Sequence, residues 1–456
     1  MSAGSTALRQ SRVGRGAALA RLALRIGGRY VARSPRLLFA SVERRTELRH
    51  DLALRSADEV AEELGSMKGV LMKLGQMASY VYEDMPLTFR AAMSRLQQKA
   101  PPMTSDLASS VIVEELGGRP ERIFARWDAV PFAAASIGQV HRAITRDGRA
   151  VAVKVQYPGI ARSITSDLRN VSLLKRIVGA AFPGLDTRSL VEELGERLQE
   201  EVDYVLEAES QEMFARYYEG HPVIHVPHVV PELSSARVLT SELVAGDGFD
   251  AVLGWDQHER NLAAETIYRF VFRSLYRLHA FNGDPHPGNY LFHGRGRVSF
   301  LDFGLTKRFS DHDLEPLVDA VRLLVFEKDW EGFRADMERA GFLRAGAPVS
   351  TEVVIDRFGQ FYGTVLQDAP MTITPAYASA IVRRFFDARG PLAPYSDVPR
   401  EYVVMQRINL GLYAVLGSLN ATANWRRIAE EIWPFRNGPP STPIGEAEAR
   451  WYGQRV

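Results

Sequence analysis

An acid, an amide and a second acid occur near one another in the chain, at a spacing that suits chemistry on metal-bound phosphates. Asp284 is followed five residues later by Asn289, and Asp302 follows eighteen residues after Asp284. Carboxylate and amide oxygens are the ligands that hard cations such as Mg²⁺ prefer. In phosphoryl transfer, one carboxylate orients the attacking hydroxyl or water, while an amide and another carboxylate hold magnesium. We therefore expect Asp284 to be catalytic, and Asn289 and Asp302 to be metal ligands.

Two short apolar runs, Tyr290–Phe292 and Val298–Leu301, separate Asn289 from Asp302 and are joined by the turn-rich sequence HGRGR. This pattern predicts a β-hairpin whose two ends bring Asn289 and Asp302 together. Asp302 belongs to an Asp-Phe-Gly tripeptide, which recurs by chance. The D-x4-N pair at this distance before it makes the combination far more specific.

A lysine on a predicted strand is the next candidate. Residues 131–157 change from a helical to a strand-like period, and Asp147-Gly148 predicts a tight turn between two strands. In the second strand valines alternate with other residues, so Lys154 projects from one face. A loop, a hairpin and a strand lysine in the sequence VAVK follow the order of a kinase N-terminal lobe.

The loop before this hairpin departs from the usual glycine-rich pattern G-x-G-x-x-G. It consists of Ala133, Ala134, Ala135, Ser136, Ile137 and Gly138. Each Cβ narrows the allowed backbone conformations and limits how closely backbone amides can surround a phosphate. We therefore expect altered nucleotide handling.

An acidic amphipathic helix is predicted over residues 188–217. Its residues Asp203 and Glu207 are four apart and share a face. Most such acids form a solvated helix face, but the preceding strand lysine makes Glu207 a reasonable ion-pair partner for Lys154. Three histidines follow in HPVIHVPH, where the prolines preclude a regular helix, and we expect a strand there rather than a metal site.

The composition is that of an ordinary folded protein and excludes several kinds of chemistry. Of 456 residues, 46% are hydrophobic and 24% are charged, and this length suits two or three domains or one two-lobed enzyme. The absence of cysteine excludes disulfides, zinc–thiolate sites and thiol catalysis. Lysine is scarce, with seven lysines against forty-nine arginines, so Lys73 and Lys154 stand out as point charges suited to phosphate.

The first 50 residues are strongly basic, with eleven arginines against Glu43 and Glu47. Residues 16–33 place apolar side chains on one helical stripe and arginines on the next, a pattern typical of helices that lie on anionic membranes. A solvated arm and, in a eukaryote, a transit peptide are the alternatives. No run approaches the roughly 18 apolar residues of a membrane span.

A helical segment with an unusual glycine precedes the strand region. Residues 55–100 carry apolar side chains at helical spacing and include Lys73-Leu74-Gly75-Gln76. Glycine is unfavourable inside helices, so Gly75 suggests a close approach of another group to the backbone. A helix-packing glycine with solvated Lys73 and Gln76 is the alternative.

Six motifs occur in order: KLGQ, AAASIGQVHRA, VAVKVQYPG, EVDYVLEA, DPHPGN and LDFG. With these motifs, residues 55–430 resemble the UbiB family of atypical kinase-like proteins, also called AarF-like, which are associated with ubiquinone and prenyl-lipid metabolism. The resemblance implies an α+β, protein-kinase-like fold with a small β-rich N-lobe, a helical C-lobe and an N-terminal helical KxGQ extension over the active site.

The predicted domain organisation follows from these segments: a basic arm over 1–50, the KxGQ extension over 51–130, the N-lobe over 131–245, the C-lobe over 246–430 and a turn-rich tail over 431–456.

The resemblance also implies roles for individual residues. Lys73 and Gln76 match the KxGQ motif, which occupies the place of a peptide substrate, and Glu201 and Asp203 match an ExD motif near Lys73. The implied catalytic residues are Lys73, Lys154, Glu207 and Asp284, and the metal ligands are Asn289 and Asp302. The implied nucleotide-binding residues are Gln76, Ala133, Ala134, Ala135, Ser136, Gly138, Glu201 and Asp203. One departure is Asn282, which stands where kinases have the histidine of H-R-D.

The expected function is that of a Mg²⁺- and ATP-dependent ATPase or small-molecule or lipid kinase that supports isoprenoid quinone biosynthesis or lipid homeostasis. The alternative is a nucleotide-gated scaffold that binds ATP without turnover. A true protein kinase is disfavoured because no Ala-Pro-Glu follows Gly304 and the activation segment is short. Expected partners are ATP, a prenyl-lipid or quinone-precursor ligand, an anionic membrane surface and a second copy in a homodimer, with no nucleic acid. The expected location is the cytoplasm, including the inner face of its membrane, without a transmembrane segment.

Overall fold

The computed structural model describes residues 103–135, 137–160, 202–282, 285–385, 390–392, 394–396 and 399–454. The basic arm and most of the KxGQ extension lie outside these ranges. The chain divides into two compact units, the first comprising Met1–Val205 with Pro231–Thr240 and the second Leu206–Val230 with Ser241–Val456.

The described helices are numbered along the chain. They are α1 (Ser105–Leu116), α2 (Pro120–Ile123), α3 (Tyr204–Tyr217), α4 (Phe249–Val252), α5 (Gln257–Arg277), α6 (Asp311–Val321), α7 (Trp330–Arg339), α8 (Thr351–Phe358), α9 (Pro375–Phe385), α10 (Arg400–Ser418), α11 (Trp425–Ile432) and α12 (Pro443–Gly453). A π-helical segment, Arg322–Glu327, follows α6, and short 3₁₀ turns span Pro231–Leu233, Pro287–Asn289 and Gly359–Tyr362.

The described strands are β1 (Arg126–Trp127), β2 (Ala133–Ala135), β3 (Gly138–Ile144), β4 (Ala150–Gln156), β5 (Ile224–His225), β6 (Val238–Glu242), β7 (Ala280–Asn282), β8 (Tyr290–Phe292), β9 (Val298–Phe300), β10 (Thr306–Arg308), β11 (Met371–Ile373) and β12 (Ala421–Ala423). Together with the helices they give the predicted α+β class.

The first unit is built on an antiparallel sheet in the order β1-β3-β4-β6, with β2 paired to β3. The predicted turn between β3 and β4 is confirmed, because Gly148 has φ 89° and Thr145 N–H donates to the Arg149 carbonyl at 2.9 Å. The predicted alternation is also confirmed. Val151, Val153 and Val155 are at most 1% exposed, whereas Lys154 is only half-buried.

The second unit is organised around α5, whose buried face carries Ile267, Phe270 and Leu275. Strands β8 and β9 form the predicted hairpin, with Tyr290 opposite Phe300. Its HGRGR turn requires three consecutive left-handed residues, and glycine supplies the first and third with φ 73° and 71°. Strand β5 pairs in parallel with β9, while β7 pairs with β10 and β11 with β12.

The long helix predicted over 188–217 is wrong at Val202–Asp203, where the chain is not helical and α3 begins only at Tyr204. The Asp203 carboxylate accepts a hydrogen bond from the Val205 N–H at 2.9 Å. Aspartate bonds of this i to i+2 type compete with helical hydrogen bonding. A local turn therefore precedes α3. The earlier part of the predicted helix, residues 188–201, lies outside the described residues.

The tail predicted to be turn-rich over 431–456 contains α12, Pro443–Gly453. The Thr442 hydroxyl accepts from the Gly445 N–H, and Pro443 occupies the first helical turn, where proline is tolerated. The buried Trp451 side chain anchors this helix. The sequence NGPPSTP, predicted to belong to a turn-rich tail, instead leads into a helix.

No helix in the described ranges has both the length and the apolar character needed to cross a membrane.

Candidate functional site

Lys154 lies near the carboxyl end of β4, opposite Val140 of β3. Its ammonium nitrogen is 4.9 Å from the centre of the Tyr204 ring, at the first residue of α3. Two residues along β4, the Gln156 side chain donates to the Val202 carbonyl at 2.8 Å. Cation–π attraction and this hydrogen bond therefore hold the lysine strand to the segment that leads into α3.

The alanine-rich segment is a strand rather than an open loop. Ala133–Ala135 form β2, which pairs with β3 so that Ala135 lies opposite Gly138. Gly138 is required sterically, because a Cβ there would overlap the Val155 carbonyl and lie 3.0 Å from the Tyr204 hydroxyl. Close strand packing thus accounts for this glycine before any phosphate contact is considered.

The carboxylate of Asp302 is oriented by its own chain. The Gly304 N–H donates to Asp302 Oδ1 at 3.0 Å. The Asn282 side chain donates to the Asp302 backbone carbonyl at 2.8 Å, and Asn282 also lies opposite Thr306 in the β7–β10 pair. Asn282 therefore ties the Asp-Phe-Gly segment to the strand that leads into Asp284.

Glu207 lies beside the same Asp-Phe-Gly segment. Its side chain, on α3, is only 4% exposed. A methyl group built at Gly304 would lie 3.4 Å from Asp302 Oδ1 and 3.6 Å from Glu207 Oε2. Two carboxylates thus converge on the space next to Gly304, an arrangement that favours a bound cation.

Asn289 is positioned by a 3₁₀ turn at the start of the hairpin. His286 Nδ1 accepts from the Gly288 N–H at 2.9 Å, and the Asn289 N–H donates to the His286 carbonyl at 2.9 Å. Across the hairpin, the Leu301 N–H donates to the Asn289 carbonyl at 3.0 Å. The backbones of Asn289 and of the residue before Asp302 are therefore adjacent, as the hairpin predicts.

Aromatic packing joins α3 to the Asp302 segment. The buried Phe303 ring lies 4.9 Å from Phe214 of α3, and Phe214 lies 5.7 Å from Phe270 of α5. Phe270 in turn stacks on Phe300 of β9 at 3.6 Å. Movement of α3 would therefore displace β9, the strand that precedes Asp302.

The candidate residues divide as follows. Lys73, Gln76, Ser136, Glu201 and Asp284 lie outside the described residues. Ala133–Ala135, Gly138, Lys154 and Asp203 belong to the first unit, and Glu207, Asn289 and Asp302 to the second. In the second unit, Glu207 lies in the first turn of α3, and Asn289 and Asp302 flank the β8–β9 hairpin at the same end. The Lys154–Glu207 ion pair, which would join residues of the two units, stays a prediction.

Asn282 and the pair Gln139–His141 were not predicted to have structural roles. Gln139 accepts from the Met103 N–H at 2.9 Å and contacts His141 Nε2 at 2.9 Å, while His141 Nδ1 lies 2.9 Å from the Asp128 carbonyl. Burial lowers the pKa of His141, which favours a neutral ring that donates through Nδ1. The sequence signal was the spacing of Gln139 and His141, two residues apart, which places both polar side chains on the same face of the strand.

The three histidines of HPVIHVPH have three separate partners. These are Glu448 for His221 at 3.0 Å, Ser299 for His225 at 2.9 Å and Glu212 for His228 at 3.4 Å. Across the described part of the chain, no three His, Cys, Asp or Glu side chains form a metal-binding group. Magnesium on a nucleotide needs only one or two protein carboxylates besides the phosphates. The oxygen donors of Asn289 and Asp302 therefore fit this ion.

A lysine-bearing antiparallel sheet in one unit, and an Asn–Asp hairpin with a neighbouring helix glutamate in the other, define a protein of the kinase-like class. The family model of the ABC1 atypical kinase-like domain matches residues 95–337, more than half of the chain. The chain therefore belongs to the ABC1 atypical kinase-like family, which is the UbiB/AarF family that the motifs predicted.

Named relatives support this membership. The chain is 36% identical over 269 residues to the mitochondrial atypical kinase COQ8B of Rattus norvegicus, covering 57% of this chain and 50% of the relative. It is 31% identical over 256 residues to the mitochondrial atypical kinase COQ8 of Saccharomyces cerevisiae, covering 56% and 51%. The chain thus spans about half the length of these curated relatives.

A solved structure supports the fold over a larger part of the chain. The complex of Rv3197 with erythromycin from Mycobacterium tuberculosis is 30% identical, with a TM-score of 0.62. The match covers 86% of this chain and 100% of that protein.

Proposed function

We propose that this protein is a Mg²⁺- and ATP-dependent enzyme that hydrolyses ATP or phosphorylates a small-molecule or lipid-like hydroxyl, in support of isoprenoid quinone biosynthesis or lipid homeostasis. The observation that carries the proposal is the convergence of Glu207 and Asp302 beside Gly304. The relatives named as atypical kinases favour the same activity.

The residues divide the work of phosphoryl transfer among them. ATP supplies the phosphoryl group, and the Mg²⁺ bound to it neutralises charge on the phosphates. Asn289 and Asp302 hold the metal, and Lys154, paired with Glu207, positions the inner phosphates. Asp284 orients water or the acceptor hydroxyl for in-line attack. Asn282 keeps the Asp302 backbone fixed relative to the strand before Asp284.

The remaining candidates border this centre. Lys73 and Gln76 of the KxGQ motif occupy the place where a peptide would bind, which favours a small acceptor. Glu201 and Asp203 of the ExD motif lie near Lys73. Ala133–Ala135, Ser136 and Gly138 border the nucleotide. The basic arm over 1–50 provides contact with an anionic membrane surface. A prenyl-lipid or quinone precursor is the proposed small-molecule ligand.

The test is phosphate release from Mg²⁺-ATP by the full chain, with and without anionic liposomes, compared with Asp302→Asn. Asparagine keeps an oxygen that accepts from the Gly304 N–H but removes the negative charge of the Asp302 carboxylate from the metal site. Removing even an indirect metal-site partner costs roughly 10- to 100-fold, so we expect turnover to fall about 100-fold or more. Asp356→Asn, at an aspartate that is 84% exposed, is the matched control and keeps wild-type turnover.

Two outcomes would contradict the proposal. Phosphate release that is unchanged in Asp302→Asn excludes the assigned metal site. ATP binding by the wild-type chain without phosphate release, with or without lipid or candidate acceptors, favours the nucleotide-gated scaffold instead.

A further inference from the structure

The helical second unit contains a partly open cavity of about 110 Å³ that is separate from the Asp302 site. Its wall includes Leu275 of α5, Val321 of α6, Met337 of α7 and Tyr413 of α10, all at most 5% exposed. Protein interiors are close-packed, and voids larger than a water molecule are few. A cavity of this size, lined mainly by apolar and aromatic side chains, is therefore a candidate binding site for a ligand.

The polar groups of the wall differ in whether they have hydrogen-bond partners. The Tyr413 hydroxyl donates to the Phe361 carbonyl at 3.2 Å and contacts the Thr364 hydroxyl at 3.1 Å. These groups satisfy one another. The Oδ1 atom of Asn409, by contrast, is buried and has no hydrogen-bond partner among the residues that the structure describes.

An isolated acceptor in an apolar cavity selects the chemistry of its ligand. A buried water needs two to four polar partners, and among the described wall residues Asn409 contributes the one fully buried side-chain oxygen that has no hydrogen-bond partner. An unsatisfied buried acceptor is unfavourable, so a ligand that brings one donor gains more than an apolar one. A charged ligand is excluded because no charged side chain lines the described wall.

The size of the ligand follows from the volume. An apolar cavity of about 150 Å³ in another protein stays dry and binds benzene. A cavity of about 110 Å³ therefore suits one compact ring or a group of similar bulk, with small adjustments of the flexible Met337 and Met405 side chains.

We propose that this cavity is a binding site for a small uncharged molecule with an apolar ring and a single O–H or N–H donor, which Asn409 Oδ1 accepts. The site does not depend on the proposed phosphoryl chemistry, because none of its wall residues belongs to the Lys154, Asn289 or Asp302 groups.

The experiment compares phenol with fluorobenzene, a single ring of nearly the same shape that lacks the O–H donor. Both are titrated calorimetrically into the full chain. A net hydrogen bond of about 1 to 1.5 kcal/mol corresponds to roughly tenfold in affinity, so phenol is expected to bind about tenfold more tightly. Asn409→Leu should remove this preference while retaining fluorobenzene binding.

Thr364→Val is the matched control, because the Thr364 hydroxyl lies on the same wall but is already paired. It should keep the preference for phenol. Equal affinity of the two compounds for wild type, no binding of either up to its solubility, or a preference that survives Asn409→Leu would each overturn the proposal. The comparison on wild type stands even if a variant fails to fold.

Discussion

Gly411 lies inside α10, where helix propensity alone favours alanine by about 1 kcal/mol. A Cβ at this position would overlap Cγ of Pro285, the residue that follows Asp284. The proline ring cannot rotate away, so the backbone after Asp284 would have to move. Gly411 therefore permits the close approach of α10 to the catalytic loop.

We predict that Gly411→Ala lowers ATP turnover by about tenfold or more, because a displacement of about 1 Å can cost up to 100-fold. The measurement is the phosphate-release rate together with the melting temperature. Gly359→Ala is the control, since its Cβ would lie 3.5 Å from Ile355 at ordinary contact distance. Turnover that is equal in the two variants would contradict a positioning role for Gly411.

Residue type and spacing were sufficient to predict Asn289, Asp302, Lys154 and Glu207 as candidates. They were insufficient for Asn282, which the sequence presents only as a departure from the kinase histidine. Its role depends on a hydrogen bond to the Asp302 carbonyl, twenty residues away. Tertiary pairing of this kind leaves no periodic signal in the chain.

At the scale of elements, α6 begins immediately after the Asp-Phe-Gly segment and its strand β10. Ser310 caps its N-terminus. The Ser310 hydroxyl accepts from the Asp313 N–H, and the Asp313 carboxylate accepts from the Ser310 N–H, which together form a capping box. This cap fixes where the short segment after Gly304 ends and the helix begins.

We predict that Ser310→Ala lowers the free energy of unfolding of the second unit by about 1 kcal/mol. Ser350 provides a matched control, because it also precedes a helix but its side chain makes no capping hydrogen bond. Ser350→Ala should cost only a few tenths of a kcal/mol. Urea unfolding of both variants measures the difference, and equal losses would show that the capping box contributes nothing.

Elements with a strong local signal were predicted, namely the β3–β4 and β8–β9 hairpins. The continuous helix over 188–217 was wrong because one side-chain hydrogen bond, from the Val205 N–H to Asp203, outweighs the helical periodicity. Helix α12 was missed because its stability depends on burial of Trp451 and Glu448 against distant segments.

At the scale of the molecule, a buried charge network joins α12 to the core of the second unit. The guanidinium of Arg269, fully buried on α5, donates to Glu265, Glu431 and Glu448, each at 2.8 Å. Arg273 donates to Glu448 at 2.7 Å. Breaking a buried ion pair leaves an uncompensated charge and typically costs about 3–5 kcal/mol. The network therefore makes α12 an integral part of this unit.

The network also makes stability depend on pH. Burial raises the pKa of Glu448, but the hydrogen bond from His221 and the charges of Arg273 and Arg269 outweigh it and lower the pKa to about 2. Because the folded pKa lies below that of the unfolded chain, about 4.5, this contribution is present above pH 4.5. It is lost as the pH falls from about 4.5 toward 2.

We predict that Glu448→Gln lowers stability at pH 7 by about 3 kcal/mol or more and flattens the acid dependence below pH 4.5. Melting temperatures between pH 3 and 7 measure both effects. Glu446→Gln, at an exposed position on the same helix, should follow the wild-type profile. An unchanged acid profile in Glu448→Gln would show that another group governs acid unfolding.

The same network imposes an order of events during synthesis. Arg269 precedes Glu448 by 179 residues, and ribosomes add about 5–20 residues per second, so about 10 to 35 s pass before this carboxylate can reach the guanidinium. Over that interval α5 cannot bury Arg269 and Arg273 against Glu448. The apolar residues beside them also stay incompletely buried, so the core of the nascent second unit is completed only after α12 has been made.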